Sequence, residues 1–379
     1  MTRVLHLITR FIDGGAESVV ENQMYGLLDA KKDYDVHLGF GNEYDQGRVD
    51  SIEEDGIKVY HFDQIRHYSL GRTIPAVLQV KRYLEENQID LIHTHSTEAG
   101  IIGRWAGMLA RTPVIIHEIH GDPITQDRSF LLNAFVWLME WLSAPIASKI
   151  VVGADQVRET FLNRRIGTET QYEVIYDGID IKHFENASPT QLSESDADLQ
   201  LLFVGRLENG KGLFDLIEAF NRLEGHNVDL IIAGDGKIKS ELKRSVQKKG
   251  LEQSVHLLGY REDVPELLAA SDVLVLPSYR EGTPRVISEA LASRTPIIST
   301  RIAGIPEQVP HGECGLLIEP GDVDALVDAL DRLLSSEGLR QRMSESCRSQ
   351  VERFSIEREQ REIVKLYNKH LSNDKNTSH

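Results

Sequence analysis

An α/β protein of two Rossmann-like domains, each an open parallel sheet with helices on its faces, is what this sequence predicts. Three observations predict it. Short apolar runs of strand character alternate with helical patterns, and that rhythm requires parallel pairing through helical crossovers. The rhythm breaks at a polar stretch, 186–200, which holds Ser188-Pro189-Thr190 and a run of Ser, Glu and Asp, and then restarts. The 379 residues suit two domains better than one.

Each element follows from its local pattern. Val4–Ile8 is a continuous apolar run, hence a buried strand. A turn with Asp13-Gly14-Gly15 follows, then a helix from Ala16 to about Leu28. Val36–Phe40 and Ile57–Tyr60 read as strands, and Pro75–Glu86 as an amphipathic helix. Leu91–His93 is a strand, Ala99–Ala110 a helix rich in small residues, and Val114–Ile116 a strand. Lys149–Val152 and Glu173–Tyr176 complete the first sheet.

After the polar stretch come strands at Leu201–Val204, Asp229–Ala233, Val255–Leu258, Val273–Leu276 and Pro296–Ile298. Between and after them lie helices at Leu213–Leu223, Ile238–Lys249, Val264–Ala270, Val286–Ala292, Asp324–Leu334 and Leu339–Glu352. The expected domains are 1–185 and 186–354, and the polar end from Asn373 is expected to fray. Ligands of such sheets bind beyond the carboxyl ends of the strands, so two facing sheets place the site in an interdomain cleft.

Composition narrows the function. The chain is 41% hydrophobic and carries a formal charge of −17, which excludes a nucleic-acid backbone as main partner. Two cysteines, Cys314 and Cys347, cannot build a disulfide framework. The N-terminus lacks signal-peptide character, and 130–150 is interrupted by Asn133, Glu140, Ser143 and Pro145, too often for a spanning helix. A cytoplasmic protein is the expectation.

The candidate chemistry sits in loops after strands. Gly14-Gly15 lies between the first strand and first helix, where backbone approaches a ligand and a helix N-terminus favours an anion. The pattern is neither a dinucleotide fingerprint nor a P-loop. Arg206 and Lys211 lie five residues apart in the glycine-rich run Gly205–Gly212; guanidinium and ammonium suit a phosphate. Glu281 and Glu289 lie eight residues apart, which on one helix places them on one face two turns apart. His93, His95, His117 and His120 cluster, yet no carboxylate or cysteine set completes a metal site, so no metal is expected. His120 precedes Gly121-Asp122 at a strand end and can face the cleft. Three Asp-x-Asp pairs, at Asp33, Asp196 and Asp322, read as solvated or capping carboxylates.

Taken in order, these motifs resemble the retaining glycosyltransferases of family 4, which have the GT-B fold. The resemblance rests on Gly14-Gly15-Ala16-Glu17, His93-Thr94-His95-Ser96, His120-Gly121, Val204-Gly205-Arg206 with Lys211-Gly212, and Gly234-Asp235-Gly236. Its strongest part is Glu281-Gly282 with Glu289-Ala290. It implies a metal-independent enzyme without cofactor that moves a sugar from a nucleoside diphosphate, UDP favoured over GDP, to a glycan or lipid-linked acceptor in surface polysaccharide assembly. It implies that Arg206 and Lys211 hold the diphosphate, helped by backbone at Gly14, Gly15 and Gly205. Glu289 would bind ribose hydroxyls, Glu281 the donor sugar with amides at Gly282 and Thr283, Tyr260 the base, and His120 the reacting centre. Chains of this family end by crossing back, so the resemblance also implies a last helix, 355–379, packed on the first domain. Pro284 departs from the family pattern by lacking an amide donor. The alternative reading is an inactive sugar-nucleotide-binding subunit. A related two-domain epimerase fits the Glu281 to Glu289 spacing less well.

The stretch Phe130–Ala147 carries Trp137 and Trp141 and little polar surface. It reads either as a buried helix or as a lipid-facing or acceptor-docking surface on the cytoplasmic membrane face.

Overall fold

The computed structural model describes residues 1–30, 33–65, 73–124, 128–192 and 195–377. It divides into two compact units: Met1–Gly178 with Ile356–His379, and Ile179–Ser355.

The first unit runs β1 (Thr2–Phe11), α1 (Gly15–Leu28), β2 (Tyr34–Tyr44), α2 (Gln46–Glu54), β3 (Lys58–His61), α3 (Thr73–Glu86), β4 (Leu91–His95), α4 (Thr97–Ala110), β5 (Val114–Ile119), α5 (Phe130–Ser143), β6 (Lys149–Val152), α6 (Asp155–Asn163) and β7 (Tyr172–Val174). Its sheet is ordered β3-β2-β1-β4-β5-β6-β7, and the pairs are parallel. Strand order reverses between β1 and β4, the topological switch point of this sheet. Side chains alternate between faces along β1. Val4 and Ile8 join one apolar cluster with Val20 and Met24 of α1. Leu5 and Leu7 join the other, with Val80 of α3 and Ile102 of α4.

The second unit continues with α7 (Ile181–Glu185), β8 (Leu199–Val204), α8 (Leu213–Asn221), β9 (Val228–Ala233), α9 (Lys239–Lys249), β10 (Val255–Gly259), α10 (Val264–Ala269), β11 (Val273–Leu276), α11 (Arg285–Ala292), β12 (Ile297–Thr300), α12 (Ile305–Gln308), β13 (Gly315–Ile318), α13 (Val323–Leu334) and α14 (Glu337–Val351). The order β10-β9-β8-β11-β12-β13 puts its switch point between β8 and β11. The last helix, α15 (Ile356–Thr377), belongs to the first unit, where Ile363, Leu366 and Tyr367 join the Val4–Ile8 cluster against α1.

Several details differ from the sequence reading. The units change at Gly178, because α7 packs on α10 and α11. The polar stretch is therefore internal to the second unit: Leu192 is buried and the Thr190 amide donates to the Glu266 carbonyl. The helices α2, α6, α7 and α12 and the strand β13 are additional elements, each too short or too weakly periodic to read locally. Helical backbone continues through Thr377 where fraying was expected. Positions 193, 194, 378 and 379 lie outside the described residues. The Asp-x-Asp pairs behave as capping or surface groups: Asp322 caps α13 through the Ala325 amide, and Asp35 pairs with Lys58.

Candidate active site

In the second unit, the loops after the neighbouring strands β8 and β11 carry the expected cations and carboxylate at the switch point. Arg206 follows β8 directly and is exposed. Lys211 ends the 3-10 turn Asn209–Lys211. Its Nζ lies 2.7 Å from Oε1 of Glu281, and the buried Ser278 hydroxyl donates to the same oxygen at 2.6 Å. Gly212 makes this approach possible. Its φ is +66°, and a Cβ there would collide with the Pro277 carbonyl. The Tyr279 amide donates to the Gly210 carbonyl at 2.9 Å, tying the two loops together by backbone.

Glu281 and Glu289 do not share a helix face. The helix α11 begins only at Arg285, after Pro284 as its N-cap, so Glu281 sits in the loop. The proline disfavours helical backbone in the residue before it, which stops the helix from reaching back to Glu281. Glu289 lies within α11, 3.8 Å from Arg285 Nε. Burial pushes its carboxyl above the usual range, and Arg285 opposes the shift. A neutral or hydrogen-bonded carboxyl in such a place is suited to reading hydroxyls. The Gly282 carbonyl accepts from the Gly304 amide, and Thr283 is half-buried. Tyr260 is exposed just past β10, beside the Arg261–Asp263 pair.

In the first unit, Gly14 has extended backbone and Gly15 opens α1. The Gly14 carbonyl accepts from the Ser18 amide and hydroxyl. Glu17 is buried in the first turn of the same helix, so a carboxylate already stands at the N-terminus expected to favour a phosphate.

His120 follows β5 beside β4, near that sheet's switch point, with both ring nitrogens turned inward. Nε2 lies 3.1 Å from Nδ1 of His95, and Nδ1 lies 4.0 Å from Oε1 of Glu118. Parallel register explains the gathering. His6 lies beside His93, and His95 beside Glu118, so these side chains share the face covered by α1 and α15. His95 Nε2 is 3.0 Å from His6 Nδ1. Tyr367 of α15 reaches both His93 Nδ1, at 2.6 Å, and His6 Nε2, at 3.3 Å. Glu118 accepts from Gln23, which also donates to Glu359. Burial drives the histidines toward their neutral forms: His6 falls to about 3, His120 to about 4, and His93, His95 and His117 well below their usual value. Burial also raises Glu118 well above its usual value and Glu359 to about 8, and Asp177 adds like-charge repulsion to both.

The expectation that no carboxylate completes the histidine set is corrected by Glu118. Ligand atoms of His6, His93 and His95, and of His95, Glu118 and His120, lie within 4.8 Å of one another. The same nitrogens contact one another in pairs, which is the pattern of a hydrogen-bonded network. His117 is separate, engaged with Thr94. Sequence reading missed Glu118, His6, Gln23, Ser278, Glu359 and Tyr367. Only Glu118 left a local signal, standing between His117 and His120.

The helix α5 lies on the surface of the first unit. Its inner side carries Glu140, whose carboxylate meets Arg104 at 2.7 Å in a fully buried ion pair. Its outer side leaves Phe130 83% and Leu131 79% exposed, with Leu138, Trp141 and Leu142 also exposed. Among the described residues no helix is long and apolar enough to cross a membrane.

A family model described as glycosyl transferases group 1 matches residues 185–350, and one described as a glycosyl transferase 4-like domain matches 14–178. UDP-Gal:alpha-D-GlcNAc-diphosphoundecaprenol alpha-1,3-galactosyltransferase of Escherichia coli is 30% identical over 337 residues, covering 85% of this chain and 87% of that protein. N-acetyl-alpha-D-glucosaminyl L-malate synthase of Bacillus anthracis is 27% identical over 332 residues, with 84% and 85% covered. The crystal structure of HepE from Anabaena in complex with UDP matches with a TM-score of 0.81 at 24% identity, over 97% of this chain and 100% of that one. Similar coverage and the same TM-score hold for HepE in complex with UDP-glucose. With two Rossmann-like sheets and these relatives, the chain belongs to the glycosyl transferases group 1 family and is a GT-B glycosyltransferase.

Proposed function

We propose that this glycosyltransferase moves a sugar from a nucleoside diphosphate, UDP favoured over GDP, to a glycan or lipid-linked acceptor, with retention of configuration and without a metal ion. The observation that carries the reading is the Lys211–Glu281–Ser278 cluster at the β8/β11 switch point, with Arg206 exposed on the same loop as Lys211. Departure of the nucleoside diphosphate builds negative charge on phosphate oxygen, and the two fixed cations stabilise that charge. Glu281 would take donor-sugar hydroxyls, with Gly282 and Thr283 beside it. Glu289 would take the ribose, and Tyr260 the base. Gly14, Gly15 and Gly205 would supply close backbone, and His120 would stand by the sugar. The departing phosphate would receive the acceptor's proton in a front-face attack. Two relatives support the donor class: the E. coli protein is named for UDP-Gal, and HepE was crystallised with UDP-glucose.

A thermal-shift screen of the purified chain across nucleotide sugars tests the donor, and the anomeric configuration of the product tests retention. Activity is expected to persist in excess EDTA. A requirement for added divalent metal would overturn the metal-free reading.

The E. coli relative's name also supplies a lipid-linked acceptor, which favours the second reading of α5. Its exposed apolar side would dip into the interface of the cytoplasmic leaflet, holding the enzyme peripherally where such an acceptor is presented.

A further inference from the structure

The first unit holds a set of buried titratable groups that sugar transfer, as proposed above, does not use. Traced from His120, the contacts return to their start: His120 Nε2 to His95 Nδ1 at 3.1 Å, His95 Nε2 to His6 Nδ1 at 3.0 Å, His6 Nε2 to Tyr367 at 3.3 Å, and Tyr367 to His93 Nδ1 at 2.6 Å. From there His93 Nε2, which makes no hydrogen bond, faces Glu118 Oε2 at 3.3 Å, and Glu118 Oε1 faces His120 Nδ1 at 4.0 Å.

We propose that these six side chains form one closed ring of uncharged groups, and that the ring is a positioning device that sets the orientation and tautomer of His120. The role rests on the reading that His120 stands by the donor sugar.

Proton counting selects the form of the ring. A neutral imidazole donates once and accepts once, as does a hydroxyl or a protonated carboxyl here. Six contacts then need six protons, one from each member, all running in the same sense. Of the two senses, link lengths favour one. A short 2.6 Å contact suits O–H donation from Tyr367 to His93, and 3.3 Å suits N–H donation from His6 to Tyr367. Oε2 of Glu118 already accepts from Gln23, which leaves the proton on Oε1, toward His120. All four histidines are then protonated on Nε2, and the Nδ1 of His120, left without a proton, faces the protonated Glu118 oxygen across 4.0 Å. The surroundings agree. Gln23 from α1, the acids Asp177 and Glu359, His93 and His95 of β4 and His120 after β5 all face Glu118, and no Lys or Arg is among its hydrogen-bond or ion-pair partners among the described residues. An ionised carboxylate there would be a buried charge beside two further acids. The α15 helix thus supplies a necessary link, Tyr367, to a residue on β5's loop.

The test begins on the intact, substrate-free chain. Nitrogen-15 NMR of labelled histidines, assigned by single His→Gln variants, should show His6, His93, His95 and His120 as Nε2–H tautomers that do not titrate between about pH 6 and about pH 8.5. Tyr367→Phe should move the His120 resonances, three links away, and lower kcat about tenfold at unchanged donor KM. Glu118→Ala should lose more, and Glu118→Gln, which can still accept and donate, should recover most of that loss. The ring is overturned if any of the four histidines titrates near its usual value, if the Nδ1–H tautomer dominates, or if zinc binds stoichiometrically through these nitrogens. The positioning role alone is overturned if Tyr367→Phe shifts the NMR signals and leaves kcat and its pH profile unchanged. The NMR result stands whatever donor the enzyme uses, so failure of the donor assignment is told apart from failure of the ring.

Discussion

Arg206 and Lys211 were expected to act alike, and their surroundings separate them. Arg206 is exposed, whereas Lys211 shares a carboxylate oxygen with Ser278. Removing an exposed side chain changes stability by about 0.5 kcal/mol or less, so Arg206→Ala should melt like the parent. On the role proposed for it, sugar transfer should still fall at least ~100-fold, because a cation at the leaving group would be gone. Glu281→Gln should lose at least ~100-fold as well, and it also leaves Lys211 without its charge partner. Lys211 and Glu281 are in contact, so the double variant Lys211→Ala with Glu281→Gln should cost less than the sum of the singles. Steady-state kinetics and melting curves on the four proteins check both statements. Near-normal turnover of either single variant would remove the role assigned to that residue.

At the scale of the element, α5 turns the usual amphipathic logic around. Its buried side holds a charge pair, Glu140 with Arg104, and its exposed side holds Phe130, Leu131, Trp141 and Leu142. The pair has a structural consequence. Arg104→Ala strands a buried carboxylate and should cost about 3–5 kcal/mol in chemical denaturation, while Arg104→Met with Glu140→Leu should return much of it. On the membrane reading proposed above, the exposed side has a functional one. Trp137 is tied down, its indole N–H donating to the Arg164 carbonyl, whereas Trp141 and Phe130 stand outward. Phe130→Ser with Trp141→Ser should therefore abolish flotation with vesicles containing anionic lipid, and Trp137→Ser should do so less. Equal flotation of parent and double variant would end the membrane reading.

For the whole molecule, buried titratable groups shape stability against pH. Glu118 and Glu359 keep their protons in the folded chain, Glu359 to about 8, while an unfolded carboxyl loses its proton near 4.5. The unfolded chain then binds fewer protons, and stability falls as pH rises from about 4.5 through about 8. The histidines act in the opposite direction. His6 and His120 stay neutral down to about 3 and about 4, and His93, His95 and His117 are also depressed, so the unfolded chain takes up protons below about 6.5 that the folded one refuses. Stability therefore also falls as pH drops from about 6.5 toward these values. Between about 4.5 and about 6.5 the more numerous histidines outweigh the two carboxyls, which places the maximum melting temperature near pH 6.5. Glu359→Gln should flatten the alkaline side of the melting curve and steepen the acid side between about 4.5 and about 6.5, where the ionisable carboxyl partly offsets the histidines. Glu118 keeps part of the alkaline slope, so a slope undiminished in the variant would contradict the assignment.

Much of the architecture was legible because it is written locally. Alternating strand and helix periods marked both sheets, and the loops after β8 and β11 announced themselves through Gly205, Gly210, Gly212 and Pro277 before any coordinates. Arg206, Lys211 and Glu281 followed, since side chains on loops after parallel strands collect at one sheet edge. Tertiary structure decided what depends on distant partners. Lys211 met the Glu281 carboxylate that Ser278 holds because two loops are pinned together by backbone, and Glu281 left the helix face because Pro284 started the helix late. Tyr367 reached His6, 361 positions away, only because α15 returns to cover the face of β1 and β4 that holds the histidines. Short-range periodicity records which face of a segment is apolar; it carries no record of what will cover that face. The strand ends and the loop chemistry were therefore set by sequence alone, and the partners of the buried polar groups, with their charge states, were set by packing.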